Sequence, residues 1–89
     1  MFPFSETIEA NKKIRKFSKD VDEEELIWHR DKKSRKVTVV ASKGWYLQFD
    51  DQLPVELVEG ETYYIPKESW HRVIKKTGHG DLIVSIFEE

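Results

Sequence analysis

The sequence has no cysteine, only four glycines and three prolines, and no long apolar run. Without cysteine, a disulfide framework, a thiolate zinc site and a cysteine nucleophile are all excluded. The apolar runs are far shorter than the roughly 20 residues that a membrane-spanning helix needs, so we expect no membrane partner. An excess of one charge is also missing, since 15 basic and 17 acidic residues leave a formal net charge of -2. Nucleic-acid binding driven by bulk charge is therefore disfavoured.

The chain has 89 residues, of which 38% are hydrophobic and 36% are charged. A chain of this length accommodates one domain. Its aromatic content of 12% is that of a folded protein rather than a disordered one. The first residues lack the basic and apolar regions of a targeting segment. We therefore expect a single folded domain in the cytoplasm.

Short runs of β-branched and aromatic residues, separated by Gly, Pro, Asp and Asn, predict strands. These runs cover residues 14–19, 25–30, 35–41, 44–49, 55–58, 62–65, 70–74 and 82–87. Seven or eight short strands with tight turns and no long helix predict an all-β, antiparallel sandwich or barrel. Residues 1–13 contain two phenylalanines, a proline and, at residues 8–11, a weak helical pattern. They are predicted to form an N-terminal arm or short helical turn before a barrel domain of residues 14–89.

Side chains two residues apart in a strand share a face. His29 therefore shares a face with Asp31, and His71 shares one with Val73. Several strands are apolar on both faces, so part of the outward surface needs a cover. We expect a second copy of the chain to provide it, as a homodimer.

The stretch 60–71, GETYYIPKESWH, resembles the second motif of the cupin superfamily, G-(D/E)-x4-P-x-G-x2-H. The glycine, the acidic residue, the proline and His71 fall in register, whereas Glu68 stands where the family usually has glycine. Residues 37–44 resemble the strand and turn that end the first cupin motif. With Ser42 at the closing glycine of that motif, His29 and Asp31 fall on its H-x-H and Arg35 falls on its glutamate.

The resemblance spans roughly residues 25–89 and implies a small antiparallel jelly-roll barrel, often dimeric, with one divalent metal held by histidine and glutamate. Carried over to this chain, the metal ligands are His29, Asp31 and His71. Such a set suits iron, manganese, nickel or zinc and leaves positions open for a small-molecule ligand. Cupins include dioxygenases, isomerases, decarboxylases and proteins without catalysis, so the fold leaves the activity undefined.

Arg35 at the family's glutamate position keeps alternatives open. A guanidinium cannot coordinate a metal, and its charge opposes a dication. Pairing with Asp31 would also take a ligand away. The hypotheses are a metal-dependent isomerase- or dioxygenase-type enzyme acting on a small anionic or sugar-like molecule, a metal-free binding module, and a structural or partner-binding barrel.

Four residues are candidates for substrate binding: Arg35, Tyr46, Gln48 and Arg72. The two arginines would orient an anionic group. Tyr46 and Gln48 lie on one face of their predicted strand, and Trp45 and Leu47 lie on the other. Alternation alone does not show which of the two faces points inward.

Basic clusters occur at residues 12–16, 32–36 and 75–76. They are predicted to be solvated turns and strand edges rather than nucleic-acid contacts, because lysine protects strand edges from pairing. His79 lies between two glycines and is predicted to be an exposed turn residue.

Overall fold

The computed structural model describes residues 3–76 and 80–89, so the turn predicted around His79 lies outside the described residues. Within them the strands are β1 (Ser5–Glu9), β2 (Lys12–Phe17), β3 (Arg35–Ala41), β4 (Trp45–Phe49), β5 (Val55–Glu56), β6 (Thr62–Ile65), β7 (His71–Lys75) and β8 (Leu82–Glu88). One short 3-10 helix spans Glu23–Glu25. The all-β prediction is confirmed.

The strands form two antiparallel sheets, one ordered β1-β2-β8-β3-β6 and the other β5-β4-β7. Alternate side chains of both sheets meet in one apolar core, as the period-two pattern requires. The core residues of these strands are Phe17, Val37, Val39, Trp45, Leu47, Ile65, Leu82, Val84 and Ile86. Trp45 and Leu82 have no exposed surface, so each sheet contributes a fully enclosed side chain.

A short helical turn, one of the two alternatives predicted for residues 1–13, is not seen among the described residues. Residues in this stretch form a hairpin in which β1 pairs with β2, and β2 pairs with β8. Ala10 and Asn11 make the two-residue turn, with Ala10 at a φ of 53°, in the left-handed region that glycine usually occupies. Every residue of β1 is exposed, so no apolar alternation marks it as a strand.

The strand predicted at residues 25–30 is wrong. Asp22 caps the 3-10 helix by accepting a hydrogen bond from the backbone of Glu24, and the Leu26 amide continues that turn by donating to Glu23. The following residues pair with β7 only through an isolated bridge between His29 and His71. Local capping therefore overrides the β propensity of this stretch.

Several large apolar side chains remain exposed on the outer face of the larger sheet, among them Val40, Tyr64 and Phe87. The homodimer expected to cover such surface stays a prediction. Among the described residues, no helix has the length and apolar character to cross a membrane.

Candidate metal centre

His29 and His71 are brought together by their own backbones. The His29 amide donates to the His71 carbonyl at 3.0 Å, and the His71 amide donates to the His29 carbonyl at 2.9 Å. The two imidazole rings consequently lie with centroids 4.3 Å apart. Two residues later, the Asp31 carbonyl accepts a hydrogen bond from the Glu68 amide at 2.7 Å. The segment that carries His29 and Asp31 is thus fastened to the turn that precedes β7.

The turn before β7 accommodates Glu68 at the position where the cupin motif usually has glycine. Glu68 has a φ of 63°, in the left-handed region that disfavours side chains with a Cβ by about 1–2 kcal/mol. A glycine at this position avoids that strain. Here the turn is supported by Ser69, whose hydroxyl donates to the Pro66 carbonyl at 2.6 Å, and by an ion pair of Glu68 with Arg30 at 3.4 Å.

A backbone carbonyl orients each of the two histidine rings, so that the Nε2 atom can bind a metal. Nδ1 of His29 lies 3.1 Å from the Ile27 carbonyl oxygen, and Nδ1 of His71 lies 2.8 Å from that of Ser69. A carbonyl oxygen only accepts, so each Nδ1 carries the proton of the neutral ring. Each Nε2 is then left with a lone pair, which is the form that binds a metal.

Asp31 completes a set of three donors. One oxygen or nitrogen from each of His29, Asp31 and His71 lies within 4.8 Å of the other two. Asp31 Oδ2 is 3.4 Å from His71 Nε2, near the separation of two atoms bonded to one metal at about 2.1 Å. This oxygen is buried and accepts no hydrogen bond of good geometry from the described residues, and the Arg35 guanidinium lies 3.2 Å from it as a cationic neighbour. The lone pair of His71 Nε2 faces the same oxygen with no proton between them, an arrangement that a bound cation would relieve.

Arg35 is held beside this set by two carboxylates. Its Nη1 lies 3.2 Å from Asp31 Oδ2, while Nε and Nη2 lie 3.1 Å and 3.0 Å from one oxygen of Glu88. Lys13 pairs with the other oxygen of Glu88 at 2.7 Å. The positive charge of Arg35 is therefore shared between Asp31 and Glu88. Arg35 neutralises the negative charge of Asp31 only in part, so Asp31 can still bind a second cation.

The pKa of His71 is lowered from its ordinary value of 6.5. Burial is the main cause, because a charged ring loses hydration there, and repulsion from a protonated His29 and from the Arg35 guanidinium acts in the same direction. The hydrogen bond to Ser69 and the charge of Asp31 act in the opposite direction. His71 is therefore neutral at neutral pH.

We expect the metal-free protein to lose stability as the pH falls below about 6.5. Below that value the unfolded chain protonates His71, whereas the folded chain resists protonation until its lowered pKa is reached. Urea unfolding between about pH 8 and pH 5 measures the effect, and His71→Gln should flatten the dependence. A midpoint that rises on acidification over this range would contradict the assignment.

Glu88 titrates in a separate, more acidic range. Its pKa is lowered from 4.5, mainly by the hydrogen bond from Lys13 and then by Arg35. Its contribution to stability is present above about pH 4.5 and is lost as the pH falls through the lowered value. The effect of the Glu88 carboxylate on stability and that of the His71 imidazole can thus be separated in one pH series.

The donor set opens into a cavity of about 420 Å³ between the sheets. Arg35 lines it with His29, Asp31 and His71, so the structure brings these four predicted site residues together. Most of the remaining wall is aliphatic or aromatic. Arg15 and Glu25 are the other polar residues among the described lining.

Tyr46, Gln48 and Arg72 do not line this cavity, so their role in substrate binding stays a prediction that the lining does not support. In β4 the neighbours Trp45 and Leu47 are buried, so strand alternation turns Tyr46 and Gln48 to the opposite face. Arg72 lies there too, bonded to the Gln48 side chain at 3.0 Å. Its guanidinium stacks on Trp28 at 4.5 Å.

Glu88 is the site residue that the sequence interpretation missed. It lies directly across from Arg35 in the β3–β8 register. The sequence contains a signal that could have identified Glu88. It follows Leu82, Val84 and Ile86 at the same two-residue spacing, and all three of those residues are buried. A carboxylate at the next inward position needs a cationic partner.

Comparison with known proteins identifies the fold. No family model and no curated protein sequence matches the chain. Among the solved structures that match it, three have TM-scores of 0.62 to 0.66. One is a cupin-2 domain containing protein from Shewanella frigidimarina, with 23% identity over 92% of this chain and 76% of that one.

The second is a cupin domain from Bordetella pertussis, with 17% identity over 100% of this chain and 97% of that one. The third, from Ralstonia eutropha, is provisionally named a mannose-6-phosphate isomerase and shares 17% identity over 96% of this chain and 81% of that one. The chain therefore has the cupin fold, as a small antiparallel jelly roll.

Proposed function

We propose that this small cupin-fold protein binds one divalent metal ion through His29, Asp31 and His71, and that the ion holds a small anionic or sugar-like molecule in the cavity. The observation that supports the proposal is the cluster of donor atoms of His29, Asp31 and His71, which lie within 4.8 Å of one another, with the buried Asp31 oxygen 3.4 Å from the lone-pair nitrogen of His71. A bound dication supplies Lewis-acid polarisation of a ligand oxygen, or oxygen activation in the case of iron.

The protein's own residues would prepare the site for such a ligand. The carbonyl contacts at both Nδ1 atoms fix the ring orientations, as outer hydrogen bonds do in metal sites generally. Arg35 presents a cation at the same end of the cavity and would attract an anionic group. The apolar wall excludes water and so strengthens these electrostatic contacts.

Metal analysis tests the proposal. The full chain, purified without a histidine tag, is titrated with Mn²⁺, Fe²⁺, Ni²⁺ and Zn²⁺ while bound metal and melting temperature are followed. We expect one equivalent of metal and a higher melting temperature, because a ligand that binds only the folded state stabilises it. Absence of stoichiometric metal together with an unchanged melting temperature would reject the proposal.

Replacing Arg35 with methionine is expected to raise the affinity for the divalent ion by roughly tenfold or more, because a permanent cation beside the site opposes the metal. The same change should lower the stability of the metal-free protein by about 1.5–3 kcal/mol, since Asp31 and Glu88 lose their charged partner. Calorimetric titration measures the first effect and urea unfolding the second.

Arg72→Met is the matched control for this experiment. Arg72 lies on the other face of its sheet, bonded to Gln48, so its replacement should leave metal affinity unchanged. If R35M instead weakens metal binding while R72M does not, Arg35 assists the metal rather than opposing it, and the charge argument is wrong.

A metal-free binding module is the second candidate function, and the contact of Arg35 with Asp31 favours it. In that case the guanidinium occupies the place of the ion and holds the carboxylate itself. The titration of the unaltered protein separates the two candidates, because a metal-free module binds no divalent ion while Arg35 holds Asp31.

A further inference from the structure

The cavity has a polar end and an apolar interior. Along β3 the inward-facing residue after Arg35 is Val37, and along β7 the one after His71 is Val73. The polar cluster therefore occupies the start of both strands, and aliphatic side chains follow immediately. A ligand that contacts the donor set must place the rest of its body against this apolar wall.

The wall offers almost nothing to a ligand's hydroxyl groups. Among the described residues that line the cavity, none carries a hydroxyl or carboxamide side chain. Two polar residues line the cavity outside the donor set and Arg35: Arg15, which donates to Glu6 at 2.7 Å and stacks on Phe4 at 4.2 Å, and Glu25, a single carboxylate in an otherwise apolar wall. Each sugar hydroxyl buried here would lose its hydrogen bonds to water without a replacement, which is unfavourable.

The charges at the polar end favour an anion. Lys13 and Arg35 balance Asp31 and Glu88, so a bound dication leaves the cluster with a net positive charge. A carboxylate with a neighbouring carbonyl oxygen would satisfy such a cluster with two oxygens. One could bind the ion and the other could face Arg35.

We propose that the ligand of this cavity is a small 2-oxo carboxylate with a branched aliphatic or aromatic body, rather than a sugar or sugar phosphate. This inference rests on the metal site proposed above and specifies the ligand that the site takes. The cavity volume of about 420 Å³ lies within the range of small-molecule sites, so such a body fits.

Calorimetry on the zinc-loaded full chain tests the ligand class. The probes are 4-methyl-2-oxopentanoate, pyruvate, which has the same polar end and a short body, and glucose 6-phosphate. We expect the branched oxo acid to bind at least roughly tenfold more tightly than pyruvate, because its additional carbons are buried. Glucose 6-phosphate should bind more weakly than either.

Equal affinities for the two oxo acids, tighter binding of glucose 6-phosphate, or zinc binding with no oxo acid bound would each overturn this ligand class while leaving the metal site intact. Failure of Zn²⁺ itself to bind in the first titration would instead reject the proposed function. The two failures are therefore distinguishable.

A pair of valine substitutions locates the ligand. Val73→Phe fills the apolar interior and should remove the advantage of 4-methyl-2-oxopentanoate over pyruvate while zinc still binds. Val40→Phe is the matched control, because Val40 is exposed on the outer face of β3 and should leave all affinities unchanged. Should V73F fail to fold, Val37→Leu makes a smaller change on the same wall. If the folded variant still prefers 4-methyl-2-oxopentanoate over pyruvate by the same factor, the ligand does not lie against this apolar wall.

Discussion

Replacing His71 with alanine is expected to weaken binding of the divalent ion by more than roughly 100-fold. The substitution removes a donor outright, and loss of a mere supporting contact already lowers metal affinity by about 10–100-fold. His71 is the buried member of the set, at 4% exposure. Competition with a chelating dye measures the loss.

His79→Ala is the same substitution at the third histidine, which lies outside the described residues. We expect it to retain full metal affinity. Circular dichroism of both variants separates loss of the site from loss of the fold. Retention of full affinity by a folded H71A protein would show that the three-residue donor set is wrongly assigned.

Replacing Trp45 with alanine is expected to destabilise the protein by about 3–5 kcal/mol, as removal of a large buried aromatic side chain does. Trp45 has no exposed surface, and its indole N–H donates to the Gly80 carbonyl at 2.8 Å. Its ring also packs on Phe17, with centroids 5.9 Å apart. Small domains have a total stability of roughly 5–15 kcal/mol, so this loss is a large share of it.

Trp70→Ala provides the comparison for the same change in side chain. Trp70 is 42% exposed, and its main described contact is the Arg30 guanidinium at 5.1 Å from the ring centroid. We expect a loss of about 0.5–1 kcal/mol, the range for exposed cation–π pairs. Guanidinium unfolding measures both variants, and equal midpoints would mean that Trp45 does not anchor the core.

The central strands follow from the sequence because each buries one alternate set of apolar residues. In β3, Val37 and Val39 are buried and mark the strand clearly. The hairpin of β1 and β2 could not be predicted this way. Its first strand is exposed throughout, and its turn places Ala10, a good helix former, where glycine is the usual signal.

The candidate site depended on more than strand patterns. The motif resemblance singled out His29, Asp31 and His71, and the structure places their donor atoms together. Alternation alone could not decide whether Tyr46 faces inward, because both alternate sets of β4 contain aromatic residues. The burial of Trp45 decides it, and burial depends on the opposing sheet rather than on the local sequence.

The reciprocal backbone bridge between His29 and His71 has a consequence for motion at the donor set. Each of these two amides is bonded to the other residue's carbonyl, so solvent reaches either proton only when the two segments separate. The rate at which the amides exchange hydrogen for deuterium therefore reports how often the donors come apart. An ion that bridges the rings would slow this exchange at both amides, without any change in the strands behind them.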